Sequence, residues 1–137
     1  MAVGIKVGSI TDEIGTPDFF HAFFSTVSSN LEKGWGSRFP VLLNNLYQGG
    51  LEAALAAKAL AELEEVKEEL AAFSPEHVVW DIEDPSKQPP WGSSISPDIT
   101  SLANYFVTST GRDLIETLRE ALCEAARYNR PAAIVQC

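Results

Sequence analysis

The stretch Thr16-Pro17-Asp18-Phe19-Phe20-His21-Ala22-Phe23-Phe24-Ser25-Thr26-Val27-Ser28-Ser29-Asn30-Leu31 sets the fold. Thr16 suits a helix cap, Pro17 the first helical position, and Asp18 complements the helix dipole. At 3.6 residues per turn, Phe19, Phe20, Phe23, Phe24, Val27 and Leu31 share one side. His21, Ser25, Ser28 and Ser29 fall on the other. Four phenylalanines on one stripe carry a large apolar area, which makes this helix a core element.

Before it, Val3 to Ile10 alternate loosely around two glycines, the pattern of a first strand. After it, Gly34-Trp35-Gly36-Ser37 breaks the helix. A shorter helical stretch is expected from Pro40 to Tyr47, stopped by Gly49-Gly50. The longest helix is expected from Leu51 to Phe73, with Leu60, Leu63, Val66, Leu70 and Phe73 as its buried stripe and Ser74-Pro75 as its end. Glu62, Glu64, Glu65, Glu68 and Glu69 are placed on its outer side, where Glu64–Glu68 and Glu65–Glu69 repel mildly.

His77-Val78-Val79-Trp80-Asp81-Ile82 reads as the clearest strand, β-branched and aromatic at its centre. Glu83 to Pro97 is a long loop of Pro, Ser and Gly, of the kind that is often functional. A further strand is expected over Asn104–Thr108. A helix is expected from Arg112 to Tyr128, with Leu114, Ile115, Leu118, Ala121, Leu122 and Ala125 buried and Cys123 facing solvent. Pro131 ends it, and Ala132 to Val135 suits a terminal strand. The order β-α-α-α-β-β-α-β predicts an α+β fold in one domain over residues 1–137. Its sheet is small and mostly antiparallel, of about four strands, with helices packed on one face.

The 137 residues are 45% apolar and 21% charged, an ordinary globular balance. Ten basic against nineteen acidic residues leave a net charge of −9. That excess repels phosphate backbones and anionic lipid, so neither nucleic acid nor a membrane is an expected partner. A basic protein or a cation is favoured instead. Neither a signal-peptide core nor an apolar run of membrane-spanning length is legible, which points to the cytoplasm and to reduced thiols at Cys123 and Cys137.

Asp81, Glu83 and Asp84 form the one tight carboxylate cluster at an expected strand end. Alternation puts Asp81 and Glu83 on one side, where they could share a cation such as Mg²⁺, although no second ligand cluster accompanies them. His21 and His77 are read as surface histidines, either of which could pair with a carboxylate. No nucleophile elbow, dinucleotide fingerprint or phosphate loop occurs, so no catalytic residue and no cofactor is assigned. Trp35 and Trp91 sit in loops, either folded back on the core or exposed as interface anchors. Pro89 and Pro90 stiffen the second of these loops. An aromatic flanked by acids suits a basic partner.

The blocks Lys6-Val7-Gly8-Ser9-Ile10, Glu13-Ile14-Gly15, Asp18-Phe19 and His21-Ala22-Phe23-Phe24-Ser25-Thr26 resemble the opening of the bacterial immunity protein 70 family. The resemblance continues through Trp35-Gly36-Ser37-Arg38-Phe39-Pro40 and Leu46-Tyr47-Gln48-Gly49. It includes Val79-Trp80-Asp81-Ile82-Glu83-Asp84, Pro89-Pro90-Trp91-Gly92 and Asn104-Tyr105-Phe106-Val107-Thr108-Ser109. It implies a cytoplasmic immunity protein of a polymorphic toxin system, which binds the toxin domain of a matching bacterial effector and prevents self-intoxication. The family has no catalytic signature to carry over. The charge favours a basic toxin such as a nuclease, met by Asp81, Glu83, Asp84, Trp91 and Trp35. The rival readings are a metal-dependent enzyme using Asp81, Glu83 and Asp84, and a structural or oligomerising domain.

Overall fold

The computed structural model describes residues 2–92 and 94–137. Strands β1 (Val3–Val7), β2 (Ile10–Gly15), β3 (Gly50–Leu51) and β4 (Ala132–Gln136) form one antiparallel sheet in the order β2-β1-β4-β3. Helices α1 (Pro17–Leu31), α2 (Ala56–Leu70) and α3 (Leu114–Arg127) complete an α+β fold. Alternation along β1 sorts the two faces. Ile5 and Val7 are buried, while Lys6 points outward. On β4, Ala132 and Ile134 share the inward face, opposite Val7 and Ile5 respectively. Helix α3 packs against β1, β2 and β4, α2 packs on α3, and α1 lies against α2 and β2.

The phenylalanine stripe of α1 is buried as its period predicts. Thr16 Oγ1 caps the helix by accepting from Phe19 N–H at 3.2 Å. Phe20 meets Phe24 edge-on at 5.0 Å between ring centroids, and Phe23 meets Phe106 at 5.2 Å. Burying each such ring contributes about 1.5–3 kcal/mol, which makes α1 the chief apolar element.

The chain order of the strands differs from expectation. The run Val3–Ile10 is not one strand, because Gly8 (φ +63°) and Ser9 turn it into a hairpin. His77–Ile82 forms no strand: Pro75–His77 is a 3₁₀ turn, and the rest is strapped to the polar side of α1. Thr26 Oγ1 accepts from Val79 N–H at 3.0 Å and donates to Val79 C=O at 3.1 Å. Ser25 Oγ accepts from Ile82 N–H at 3.1 Å, and Asn30 Nδ2 donates to His77 C=O at 3.0 Å. Backbone groups that would pair with a strand find helix side chains instead. Consequently Ser25 and Thr26 are buried with their hydroxyls bonded, whereas the buried Ser28 hydroxyl has no hydrogen-bond partner among the described residues.

Asn104–Thr108 likewise gives only an isolated bridge, Val107 to Asp113. Tyr105 and Phe106 are buried there as core side chains. The expected helix from Pro40 to Tyr47 is a π-helical turn over Val41–Leu46. The expected helix from Leu51 begins late, after β3 and a 3₁₀ turn at Ala53–Leu55. Within it Glu62 points inward, at 5% exposure, and caps the π-helical turn. Its carboxylate accepts from Leu42 N–H at 3.0 Å and Val41 N–H at 3.4 Å. The orphan donors of that turn explain why one glutamate leaves the solvated face. Burial, more than these bonds offset, raises its pKa above the ordinary carboxylate range.

Candidate functional site

Three segments distant in sequence converge on the polar side of α1. Helix α1 supplies His21, the end of the π-helical turn supplies Tyr47, and the segment strapped along α1 delivers Asp81 and Glu83. His21 Nδ1 lies 2.7 Å from Tyr47 Oη, and His21 Nε2 lies 3.2 Å from Asp81 Oδ1. Asp81 Oδ1 also accepts from Glu83 N–H at 2.9 Å, and Lys87 Nζ stands 3.5 Å from Oδ2. The Glu83 amide, then His21 and Lys87, hold the Asp81 carboxyl below its usual pKa. Asp81 is therefore anionic at neutral pH.

Trp35 roofs the cluster. Its ring stacks on His21 at 6.2 Å between centroids, meets Tyr47 edge-on at 5.5 Å, and donates from Nε1 to Leu43 C=O at 3.3 Å. The Trp35 loop is gathered by Glu32, whose carboxylate accepts N–H bonds from Gly36, Arg38 and Phe39, each at 2.9 Å. Arg38 in turn forms a two-pronged pair with Glu69 of α2 at 2.8 and 2.6 Å. The roof is thereby tied to two helices.

With a neutral ring, one tautomer satisfies every group: Nε2–H donates to Asp81 and Nδ1 accepts from the Tyr47 hydroxyl. Carboxylate, imidazole and hydroxyl in a row resemble the relay of a hydrolase. The hydroxyl is the wrong one for that chemistry. Burial first, then the charges of Glu83 and Asp81, raise the Tyr47 pKa above its ordinary value, so the phenol is not activated as a nucleophile. What the cluster does offer is coordination. Donor atoms of His21, Asp81 and Glu83 all lie within 4.8 Å of one another.

Of the residues expected from sequence, Asp81, Glu83 and Trp35 come together. Asp84 turns aside, accepting from Ser86 N–H at 3.2 Å and Ser86 Oγ at 2.6 Å. Trp91 packs edge-on against Trp80, the neighbour of Asp81, at 5.4 Å and donates to Tyr105 Oη at 2.8 Å. It stays 38% exposed, close to the exposed Ile95 and Val107 along a groove. Sequence reasoning allowed His21 a carboxylate partner without identifying it, and missed Tyr47 altogether. The available signal was a histidine on an otherwise hydroxyl-rich helix face.

Fold and site together define an acidic α+β protein with a carboxylate–imidazole cluster under a tryptophan roof and an aromatic ridge beside it. The family model described as Immunity protein 70 matches residues 5–134 of the 137, and the chain belongs to that family. Membership points to an immunity protein of a toxin system. No curated protein and no solved structure matches the chain.

Proposed function

We propose that this protein binds the toxin domain of a cognate bacterial effector and neutralises it by occupation, in the cytoplasm of the cell that makes both. The observation that carries the reading is the family match over nearly the whole chain. The net charge of −9 supports a basic partner, such as a nuclease, whose encounter it would accelerate. Glu83 and Trp91 are the exposed members of the proposed contact surface. Asp81, Asp84 and Trp35 stand behind them, supplying charge and rigidity. The action is non-enzymatic: Tyr47 is a neutral phenol, and His21 has both ring nitrogens engaged.

The test is capture of the effector from the native bacterium by the tagged protein, followed by affinity measurements with the recovered toxin domain. Tight binding that weakens with added salt and in Glu83→Lys and Trp91→Ala supports the function and the surface. Tight binding indifferent to both substitutions keeps the function and moves the contact elsewhere. Failure to recover an effector that is demonstrably expressed overturns the function.

A further inference from the structure

We infer that His21, Asp81 and Glu83 form a binding site for a divalent first-row transition metal, with zinc the fitting ion. The inference goes beyond toxin neutralisation and stands without it.

The donor set selects the class of ion. One imidazole with two carboxylates suits zinc or manganese, whereas calcium and magnesium prefer oxygen alone. The spacing fits as well. Metal–ligand bonds of about 2.0–2.1 Å hold neighbouring ligand atoms roughly 3 Å apart, and His21 Nε2 already lies 3.2 Å from Asp81 Oδ1. Glu83 completes the set, because its exposed side chain is free to close the remaining gap. Among the described residues, Lys87, itself exposed, stands on the carboxylate as a competing cation.

Tyr47 is what distinguishes this cluster from ordinary surface acids. A metal-bound imidazole keeps its other N–H on a fixed acceptor, which sets the tautomer and the ring plane. Tyr47 Oη lies 2.7 Å from His21 Nδ1, and the phenol is able to accept as well as donate. The ion would take the place of the proton now shared between Nε2 and Asp81. The ring would then move its proton to Nδ1 and donate to Tyr47, with Trp35 stacked above holding the imidazole in plane. Three protein ligands leave a fourth position for water or for a side chain of a bound partner.

The test is calorimetric titration of zinc chloride into the chelator-stripped full chain carrying Cys123→Ser and Cys137→Ser, which removes adventitious thiol ligands. Saturable binding of one ion is expected. It should weaken at least about tenfold in Glu83→Gln and His21→Gln, and roughly 10–100-fold in Tyr47→Phe. Glu120→Gln, on the outer side of α3, should bind like the parent. In the NMR spectrum, zinc should shift the His21 Nε2 resonance specifically. The absence of saturable binding, or binding unchanged in Glu83→Gln and leaving the His21 ring unshifted, overturns the site. Glu83 is exposed, so its variant reads ligation rather than folding.

Discussion

Thr26 holds Val79 by both backbone polar groups at once, its hydroxyl accepting from the Val79 amide and donating to the Val79 carbonyl. One side chain thus does for this segment what a neighbouring strand would have done. Thr26→Val keeps the shape and removes both bonds, leaving two partly buried groups without partners. The expected loss is about 2 kcal/mol or more, seen as a lower urea midpoint, with Thr26→Ser recovering most of it. An unchanged midpoint would show that water replaces the hydroxyl.

Two glutamates give opposite pH dependences in adjoining windows. Arg119 first, then Lys67, lower the Glu116 pKa from 4.5 to about 2. Its contribution is complete above 4.5 and is lost as the pH falls toward 2. Glu62 is raised above 4.5 by burial, so its acid form favours the fold and stability declines as the pH rises through the shifted value. Urea midpoints across the acid range should flatten below 4.5 in Glu116→Gln and above it in Glu62→Gln. A change in the wrong window would discard the assignment.

Gly49 and Gly50 share nearly the same backbone, with φ of +146° and +151°. They differ in what a methyl group would meet. At Gly49 the space is open, whereas at Gly50 a Cβ would sit 2.5 Å from the Ala132 carbonyl. Gly50→Ala should therefore cost about 1–3 kcal/mol more than Gly49→Ala, because β3 must leave β4 to admit it. Thermal denaturation of the pair checks this, and equal losses would refute the clash.

Trp91 donates to the buried Tyr105 hydroxyl, and that bond opposes the upward pull of burial on the phenol. Trp91→Phe removes the donor and keeps much of the ring. The Tyr105 pKa should rise further, read as a later step in the alkaline ultraviolet titration. A titration identical to the parent would mean that the indole bond is not formed in solution.

Periodicity made α1 and α3 legible, since each places its apolar residues at helical spacing, while β4 was legible as a short apolar run after Pro131. The Gly8-Ser9 hairpin was also legible in principle, as a two-residue turn with glycine first. His77–Ile82 was not. Its β-branched and aromatic residues favour extended backbone, which it has, but propensity does not say what will accept the hydrogen bonds. Glu62 was misplaced because helical spacing locates a face and not a neighbour's unpaired amides. The candidate site was half visible: Asp81 and Glu83 announce themselves by adjacency. His21 and Tyr47 join them only through tertiary folding, which brings together side chains 26 and 60 residues apart.

The order β2-β1-β4-β3 puts β1 and β4, which lie near opposite ends of the chain, side by side, with Ile5 across from Ile134. As the chain is synthesised, the β1–β2 hairpin emerges early and waits with a bare edge until Ala132–Gln136 follows. Such pairing between distant residues folds slowly, and a waiting edge invites association with other chains. Ribosomal pausing before β4, or a chain cut short there, should leave an aggregation-prone fragment rather than a merely less stable fold. Supply of the folded molecule then depends on how soon Ala132–Gln136 reaches that edge as much as on how many chains are begun.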